Sequence, residues 1–251
     1  MQTIYKWWCV AVTLGLLASV SANGQVKPAD SDDDNYQSVT SLGITTNTNA
    51  GLLGGFVFRQ SKLLPGTFLG KKQFRYLAIE AVNVKHPKEI AQMASYSGTR
   101  FTYGKENYLF VIRPQYGREI SLFQRSADEG ITINGIFAVG PSLGIIKPYF
   151  VEISEGNRTR TVSYATAIRN SSSISGAGGF FQGFGESKFT VGANVKAAVS
   201  FELSAFRNNT TGIEIGFLAE AFPQKIVIMP DAQNRSFFTS GFVTLYFGTK
   251  K

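Results

Sequence analysis

Hydrophobic and polar residues alternate with a period of two along most of this chain. The clearest stretch runs from Val191 to Phe206, where Val, Ala, Phe and Leu occupy every second position and mostly small or polar residues lie between them. Residues 107–123 and 211–222 repeat the pattern. A period of two predicts β-strands, and these stretches exceed the roughly five or six residues of an ordinary strand. They fit tilted membrane-crossing strands of roughly 9–11 residues that continue beyond the bilayer.

Turn-forming residues such as Pro65-Gly66 and Asn208-Asn209 divide the chain into about eight such stretches, an even number as in single-chain bacterial barrels. The predicted strands are residues 50–60, 73–84, 107–123, 131–153, 159–169, 190–206, 210–222 and 237–248. Two alternatives stay open: residues 38–46 extend the first strand, and Gly140-Pro141-Ser142 folds the fourth into a hairpin. The predicted fold is an all-β, antiparallel, up-and-down transmembrane barrel.

An even strand count returns both termini to one side of the membrane, which is the periplasmic side in bacterial barrels. The predicted external connections are residues 61–72, 124–130, 170–189 and 223–236. Residues 85–106 then form a long periplasmic connection, which departs from the short turns expected on that side.

The polar face of the strands distinguishes a soluble barrel from a membrane barrel. A soluble barrel turns its aliphatic face inward and carries dense charge outside, whereas here the polar positions hold single charges of both signs separated by Gly, Ala and Ser. Such a face suits the narrow interior of an eight-stranded barrel, which side chains fill. Buried charges are tolerated only with partners, so we expect an internal paired network. Its predicted members are Arg113, Glu119, Lys196, Glu202, Glu214 and Glu220, with Arg75 or Arg160 as further cations.

The first residues have the order of a secretory signal peptide. Lys6 supplies the positive start, residues 7–18 are apolar, and small residues follow. We predict a signal peptide at residues 1–24, cleaved after Ala22 or Gly24, although a retained anchor helix is an alternative. A polar acidic linker at residues 25–37 and a barrel at residues 38–251 complete the predicted organisation.

Composition narrows the classes of protein and partner. Charged residues make up 17 %, below the roughly 25 % of soluble domains, and no segment after the signal peptide is apolar and long enough for a helical span. The net charge of +8 is spread without a basic stripe, so no nucleic-acid partner is expected. A basic surface instead fits outer-membrane lipid or lipopolysaccharide.

Candidate chemistry is sparse. The only cysteine, Cys9, lies in the predicted signal peptide, and a single histidine, His86, cannot assemble a zinc site alone. Gly140–Gly144 matches G-x-S-x-G, but a strand-like run follows instead of a helix and His86 lies upstream. We therefore expect no catalytic residue, cofactor or metal. The aromatic residues Phe180, Phe181 and Phe184 are expected to lie at the lipid interface, or alternatively to contact a partner.

The closing segment SFFTSGFVTLYFGTKK alternates at Gly241, Val243, Leu245 and Phe247, as barrel-assembly signals do. With the signal peptide and the Gly- and aromatic-rich strands, it resembles the small outer-membrane β-barrel proteins of Bacteroidetes, loosely the PorT-like group. A basic tail after Gly248, rather than a terminal aromatic residue, departs from that pattern.

This resemblance implies an outer-membrane protein. The leading hypothesis is a non-enzymatic structural, accessory or secretion/assembly barrel with protein partners. The alternatives are a porin-like transport barrel with a wider interior, a membrane-lipid-modifying enzyme that depends on His86, and a soluble lipid-carrying barrel with its aliphatic faces inside.

Overall fold

The computed structural model describes residues 37–94, 99–123, 131–156, 158–203 and 209–251, without the side chains of Gly51 and Leu52. The predicted signal peptide and residues 25–36 of the predicted linker lie outside the described residues. Both therefore stay predictions.

Strands dominate the described residues. The strands are β1 Ser38–Asn47, β2 Gly51–Phe68, β3 Lys71–Val84, β4 Ala91–Met93, β5 Arg100–Thr102, β6 Asn107–Phe123, β7 Thr132–Pro148, β8 Phe150–Glu155, β9 Arg158–Ser163, β10 Ile174–Ala177, β11 Lys188–Glu202, β12 Asn209–Ile226 and β13 Arg235–Lys250. One helix, α1, spans Tyr164–Arg169, and a 3₁₀ turn spans Phe184–Glu186.

Eight strands close into a barrel in the order β1-β13-β12-β11-β7-β6-β3-β2, and every neighbouring pair is antiparallel. Each barrel strand lies beside the barrel strands that precede and follow it in the chain. This arrangement confirms the predicted all-β, antiparallel, up-and-down barrel and its strand number.

Two strand assignments from the sequence are wrong, and their errors cancel in the count. Residues 38–47 form the separate strand β1 instead of extending the next strand. Residues 159–169 do not join the barrel, because β9 gives way to α1. The hydroxyl of Ser163 accepts a hydrogen bond from the backbone N–H of Thr166 and caps that helix. The predicted fourth strand ends at Pro148 without a hairpin at Gly140-Pro141-Ser142.

The two ends of the barrel carry very different connections. The end at which β1 begins and β13 ends, called below the end with the termini, has short ones. An example is the two-residue turn Leu69-Gly70, where both φ angles are positive as in a type I′ hairpin. The opposite end has long ones, at residues 85–106, 149–187 and 227–234. The predicted sides of 61–72 and 85–106 relative to the termini are therefore wrong, because the missed strand β1 reverses the side of each following connection. The predicted external connection 124–130 lies outside the described residues.

Aliphatic and aromatic side chains cover the outer face of the barrel. Phe217 is 77 % exposed and Phe56 70 %, whereas the alternate positions on the same strands are buried. Part of the interior is apolar and is formed by Val57, Tyr76, Ala78, Ile136, Ala138, Ala198, Leu218 and Phe242. This orientation is opposite to that of a soluble lipid-carrying barrel. Among the described residues, no helix has the length and apolar character to cross a membrane.

The long connections fold into a small substructure, which we call the end platform and define as the described parts of residues 85–106 and 149–187. It contains the three-stranded sheet β10-β8-β9, the hairpin β4-β5 and α1. Its core includes Tyr149, Val151, Ile153, Tyr164 and Ala167. The hydroxyl of Tyr164 accepts a hydrogen bond from the N–H of Gly104 at 2.7 Å, which ties α1 to the β5–β6 connection.

Candidate functional site: the charged interior of the barrel

Eight charged side chains are buried inside the barrel. They are Arg59 on β2, Glu80 on β3, Arg113 and Glu119 on β6, Lys196 and Glu202 on β11, and Glu214 and Glu220 on β12. Each occupies an inward position of the period-two pattern. All six side chains expected from the sequence are among them.

Seven of these side chains form one continuous chain of alternating charge. The order is Glu119, Arg59, Glu214, Lys196, Glu80, Arg113 and Glu220. The successive closest nitrogen–oxygen distances are 3.6, 2.9, 2.6, 2.7, 3.7 and 2.8 Å. Every cation therefore lies between two carboxylates, and a carboxylate stands at each end.

Neutral side chains donate hydrogen bonds to the carboxylates at the two ends of this chain. Glu119 accepts hydrogen bonds from the hydroxyl of Ser61 and from the side-chain amide of Asn134, the latter at 2.9 Å. Glu220 accepts one from the hydroxyl of Ser142 at 2.6 Å, in addition to two from Arg113. These donors stabilise the carboxylates that have only one cation each, which matters because the chain holds four carboxylates and three cations.

Aromatic rings flank the cations of this chain. The guanidinium carbon of Arg59 lies 4.0 Å from the ring centre of Tyr246. The ammonium of Lys196 lies 4.7 Å from the ring centre of Phe242 and donates to the hydroxyl of Tyr76 at 3.3 Å. Cation–π contacts of desolvated cations contribute about 2 kcal/mol, so the rings add to the ionic partners. The arrangement holds these charges in fixed pairs and fills the space between the strands.

The sixth predicted residue, Glu202, lies outside the chain of seven. Its carboxylate pairs with the ammonium of Lys250 at 2.5 Å, near the end of the barrel that carries the termini. The expected further cations, Arg75 and Arg160, do not supply the positive charge that balances the interior carboxylates. Arg75 takes an outward position on β3, and Arg160 is exposed on β9 outside the barrel. Arg59 and Lys250 supply that positive charge instead.

The sequence contained a signal for two of the residues that the prediction omitted. Arg59 and Glu80 both lie within correctly predicted strand segments, at the alternate positions opposite the aliphatic ones. Extending the alternation to every strand would have included both. Their pairing with particular partners depends on strand order around the barrel, which the alternation does not contain.

An apolar layer closes the interior toward the end with the long connections. It contains Ile228 and Met229, from the β12–β13 connection, together with Val84, Leu109 and Phe222 from the strands. Asn234 fixes this connection, because its side-chain oxygen accepts from the N–H of Ile228 at 2.9 Å and its amide donates to the carbonyl of Met229 at 2.8 Å. Along the barrel axis, the interior therefore contains the paired charges first and then, toward the long connections, this apolar layer.

The G-x-S-x-G segment lies within β7 and has no catalytic surroundings. Ser142 is fully buried, donates to Glu220 and accepts from the amide of Asn194 at 3.0 Å. His86 lies in the connection after β3, where its Nδ1 accepts from the N–H of Lys88 at 3.1 Å. Within the ranges that the structure describes, no group of three His, Cys, Asp or Glu side chains is arranged to hold a metal ion.

No protein-family model matches this chain, and no curated protein matches it. Among solved structures, the chain is similar to Ail, the attachment invasion locus protein of Yersinia pestis. The identity is 8 %, the alignment covers 86 % of this chain and 99 % of Ail, and the TM-score is 0.38. A second match is the crystal structure of Ail in complex with the heparin analogue sucrose octasulfate, at 8 % identity, 85 % and 97 % coverage and a TM-score of 0.37.

An aromatic cluster joins the end platform to the outer face of the barrel. Phe180 and Phe184 lie against Phe110 of β6, with ring centres 5.9 and 6.4 Å apart. The ammonium of Lys147 lies beneath them, 5.3 Å from the ring centre of Phe184. Phe181 is 82 % exposed at the edge of this cluster.

A charged pair within the end platform lies close to this cluster. The ammonium of Lys105 binds the carboxylate of Glu89 at 2.5 Å and lies 3.9 Å from the ring centre of Tyr108. Burial lowers the pKa of Lys105, and the charge of Glu89 opposes that shift.

Proposed function

We propose that this chain is a non-enzymatic outer-membrane β-barrel that serves as a structural, accessory or secretion/assembly subunit by anchoring the end platform at the cell surface. The observation that carries the proposal is the filled interior. The alternating chain of seven charged side chains and the apolar layer around Ile228 occupy the space through which a solute would pass.

The outer face of the barrel supports the membrane location. A largely aliphatic and aromatic surface is costly in water and favourable in lipid, and all carboxylates of the described barrel strands lie inside. Bacterial outer-membrane barrels have short periplasmic turns and longer external loops. On this basis the end with the termini faces the periplasm and the end platform faces outward.

The end platform is the surface on which we place the protein partner. Its own buried core indicates a folded surface rather than a set of independent loops. Membership of the PorT-like group of Bacteroidetes, and with it a place in a secretion or assembly complex, is the narrower form of this proposal. It rests on the closing strand and on the Gly- and aromatic-rich strand composition.

The two alternative functions have less support. A porin-like transporter requires an open passage, which the paired interior does not favour. A lipid-modifying enzyme requires a general base beside a nucleophile. His86 contacts the carbonyl of Gln233 at 3.4 Å and the backbone of Lys88, and neither is a nucleophile.

Cell fractionation combined with gel mobility tests the proposal. We expect the protein in the outer-membrane fraction, with a mobility that shifts on boiling because a closed barrel resists detergent until heated. Recovery from the soluble periplasm without a mobility shift would overturn the membrane location.

A further inference from the structure

Three cations lie side by side on the outer face of the barrel. Lys62 of β2 pairs in register with Arg75 of β3, and Arg75 pairs with Arg118 of β6. All three occupy outward positions, near the end that carries the termini. We call them the cationic row. Residues directly opposite one another on adjacent strands have Cβ atoms about 5 Å apart, so the row brings three positive charges within about 10 Å.

Such a row is unfavourable unless an anion joins it, because like charges directly opposite each other destabilise a sheet. The described barrel strands supply none on this face. Every carboxylate on the described barrel strands, namely Glu80, Glu119, Glu202, Glu214 and Glu220, points into the interior. Arg75 is half-buried, and Lys62 and Arg118 are exposed. The row therefore has charge available for an external anion.

The cationic row adjoins apolar residues on its barrel-centre side. The next outward row toward the barrel centre contains Leu77 and Tyr116, and the row after it contains Phe58 and Ile79. Tyrosine favours the level between headgroups and acyl chains, and aliphatic residues favour the acyl chains. We therefore place the cationic row at the level of the lipid phosphates.

We propose that the cationic row binds the phosphate of an anionic glycerophospholipid headgroup. The proposal rests on the proposed membrane location. A guanidinium can donate two parallel hydrogen bonds to phosphate oxygens. The neighbouring lysine and arginine add positive charge, which favours a headgroup whose phosphate charge is not neutralised by an amine. Since the row lies at the end with short turns, it faces the periplasmic leaflet, which distinguishes this lipid from lipopolysaccharide.

Lipid association of the folded protein tests the proposal. The protein is reconstituted in phosphatidylcholine vesicles that contain spin-labelled phosphatidylglycerol or spin-labelled phosphatidylcholine, and the immobilised fraction gives the relative association constant. We expect a preference for phosphatidylglycerol. Replacing the row, in Lys62→Gln/Arg75→Gln/Arg118→Gln, should weaken that preference by on the order of 100-fold if each cation contributes about fivefold.

A matched variant controls for net charge. Lys188→Gln/Lys225→Gln/Arg235→Gln removes the same number of exposed cations at the opposite end of the barrel and should keep the preference. Arg75→Lys keeps the charge but loses the paired hydrogen bonds, and it should reduce the preference even if the triple variant fails to insert. Equal loss in both triple variants would overturn the site in favour of general electrostatics.

Two further arms identify the source of the phosphate. Millimolar inorganic phosphate should not displace the lipid, and displacement would reassign the row to free phosphate. Tighter association of lipopolysaccharide than of phosphatidylglycerol, lost in the row variant, would overturn the assignment to the periplasmic leaflet. Normal insertion without any lipid preference would overturn this inference alone, whereas failure of the unmodified protein to insert would overturn the proposed function.

Discussion

Arg113 and Glu220 form a two-point ion pair across the interior of the barrel, with Nε–Oε1 and Nη2–Oε2 distances of 2.8 Å each. Their strands, β6 and β12, are not neighbours in the barrel. The pair therefore links two strands across the interior that share no backbone hydrogen bonds. Because all its members are buried, the alternating chain that includes this pair is a structural element of the barrel interior.

Loss of Arg113 should destabilise the barrel. Arg113→Ala leaves Glu220 without its cation and Glu80 with only Lys196, and breaking such a buried pair typically costs about 3–5 kcal/mol. Urea unfolding of the protein in lipid vesicles measures the change. The control Ile215→Ala removes a lipid-facing side chain and should change stability by less than about 1 kcal/mol, because lipid fills the space. Equal costs for the two variants would contradict the pairing.

The middle and the end of the charge chain should respond differently to neutralisation. Lys196→Met leaves Glu80 and Glu214 facing each other without their shared cation and should cost about 3–5 kcal/mol. Glu119→Gln removes a terminal negative charge from a chain with excess carboxylate and should cost at most about 1 kcal/mol. The same urea experiment compares them. A larger loss of unfolding free energy in Glu119→Gln than in Lys196→Met would contradict the assignment of Lys196 as the shared cation and of Glu119 as a terminal carboxylate.

His86 should be dispensable. The side chain lies in a connection and contacts backbone groups, so His86→Ala should insert, shift on boiling and complement a deletion strain like the unmodified protein. Lipid analysis of the two strains provides the second readout. A lipid-modifying activity that disappears with this substitution would restore the enzyme hypothesis.

The position of the exposed aromatic edge can be measured by fluorescence. Both tryptophans, Trp7 and Trp8, precede the predicted cleavage site, so Phe181→Trp introduces the only tryptophan of the mature chain. If the aromatic cluster lies at the lipid interface, lipids brominated near the headgroup should quench this fluorescence. Quenching by aqueous iodide alone would indicate that the cluster faces a protein partner instead.

Alternation along the sequence predicted the barrel, and the six charged residues it selected lie inside, whereas Arg75 and Arg160, suggested as further cations, do not. It failed at β1, where inward residues such as Ser41 and Thr45 are small and polar and outward residues include few large side chains. It also failed at α1, a helix of six residues that follows β9 without an intervening turn. The partners of each charge, such as Arg59 for Glu214, required the order of strands around the ring, which periodicity does not specify.

The central claim is that paired side chains fill the interior of a membrane barrel, and single-channel recording tests it most directly. The purified, heat-modifiable protein is added to planar lipid bilayers under an applied voltage. The filled interior predicts no steady conductance from the unmodified protein. Large, stable single-channel currents would contradict it and favour the transport function.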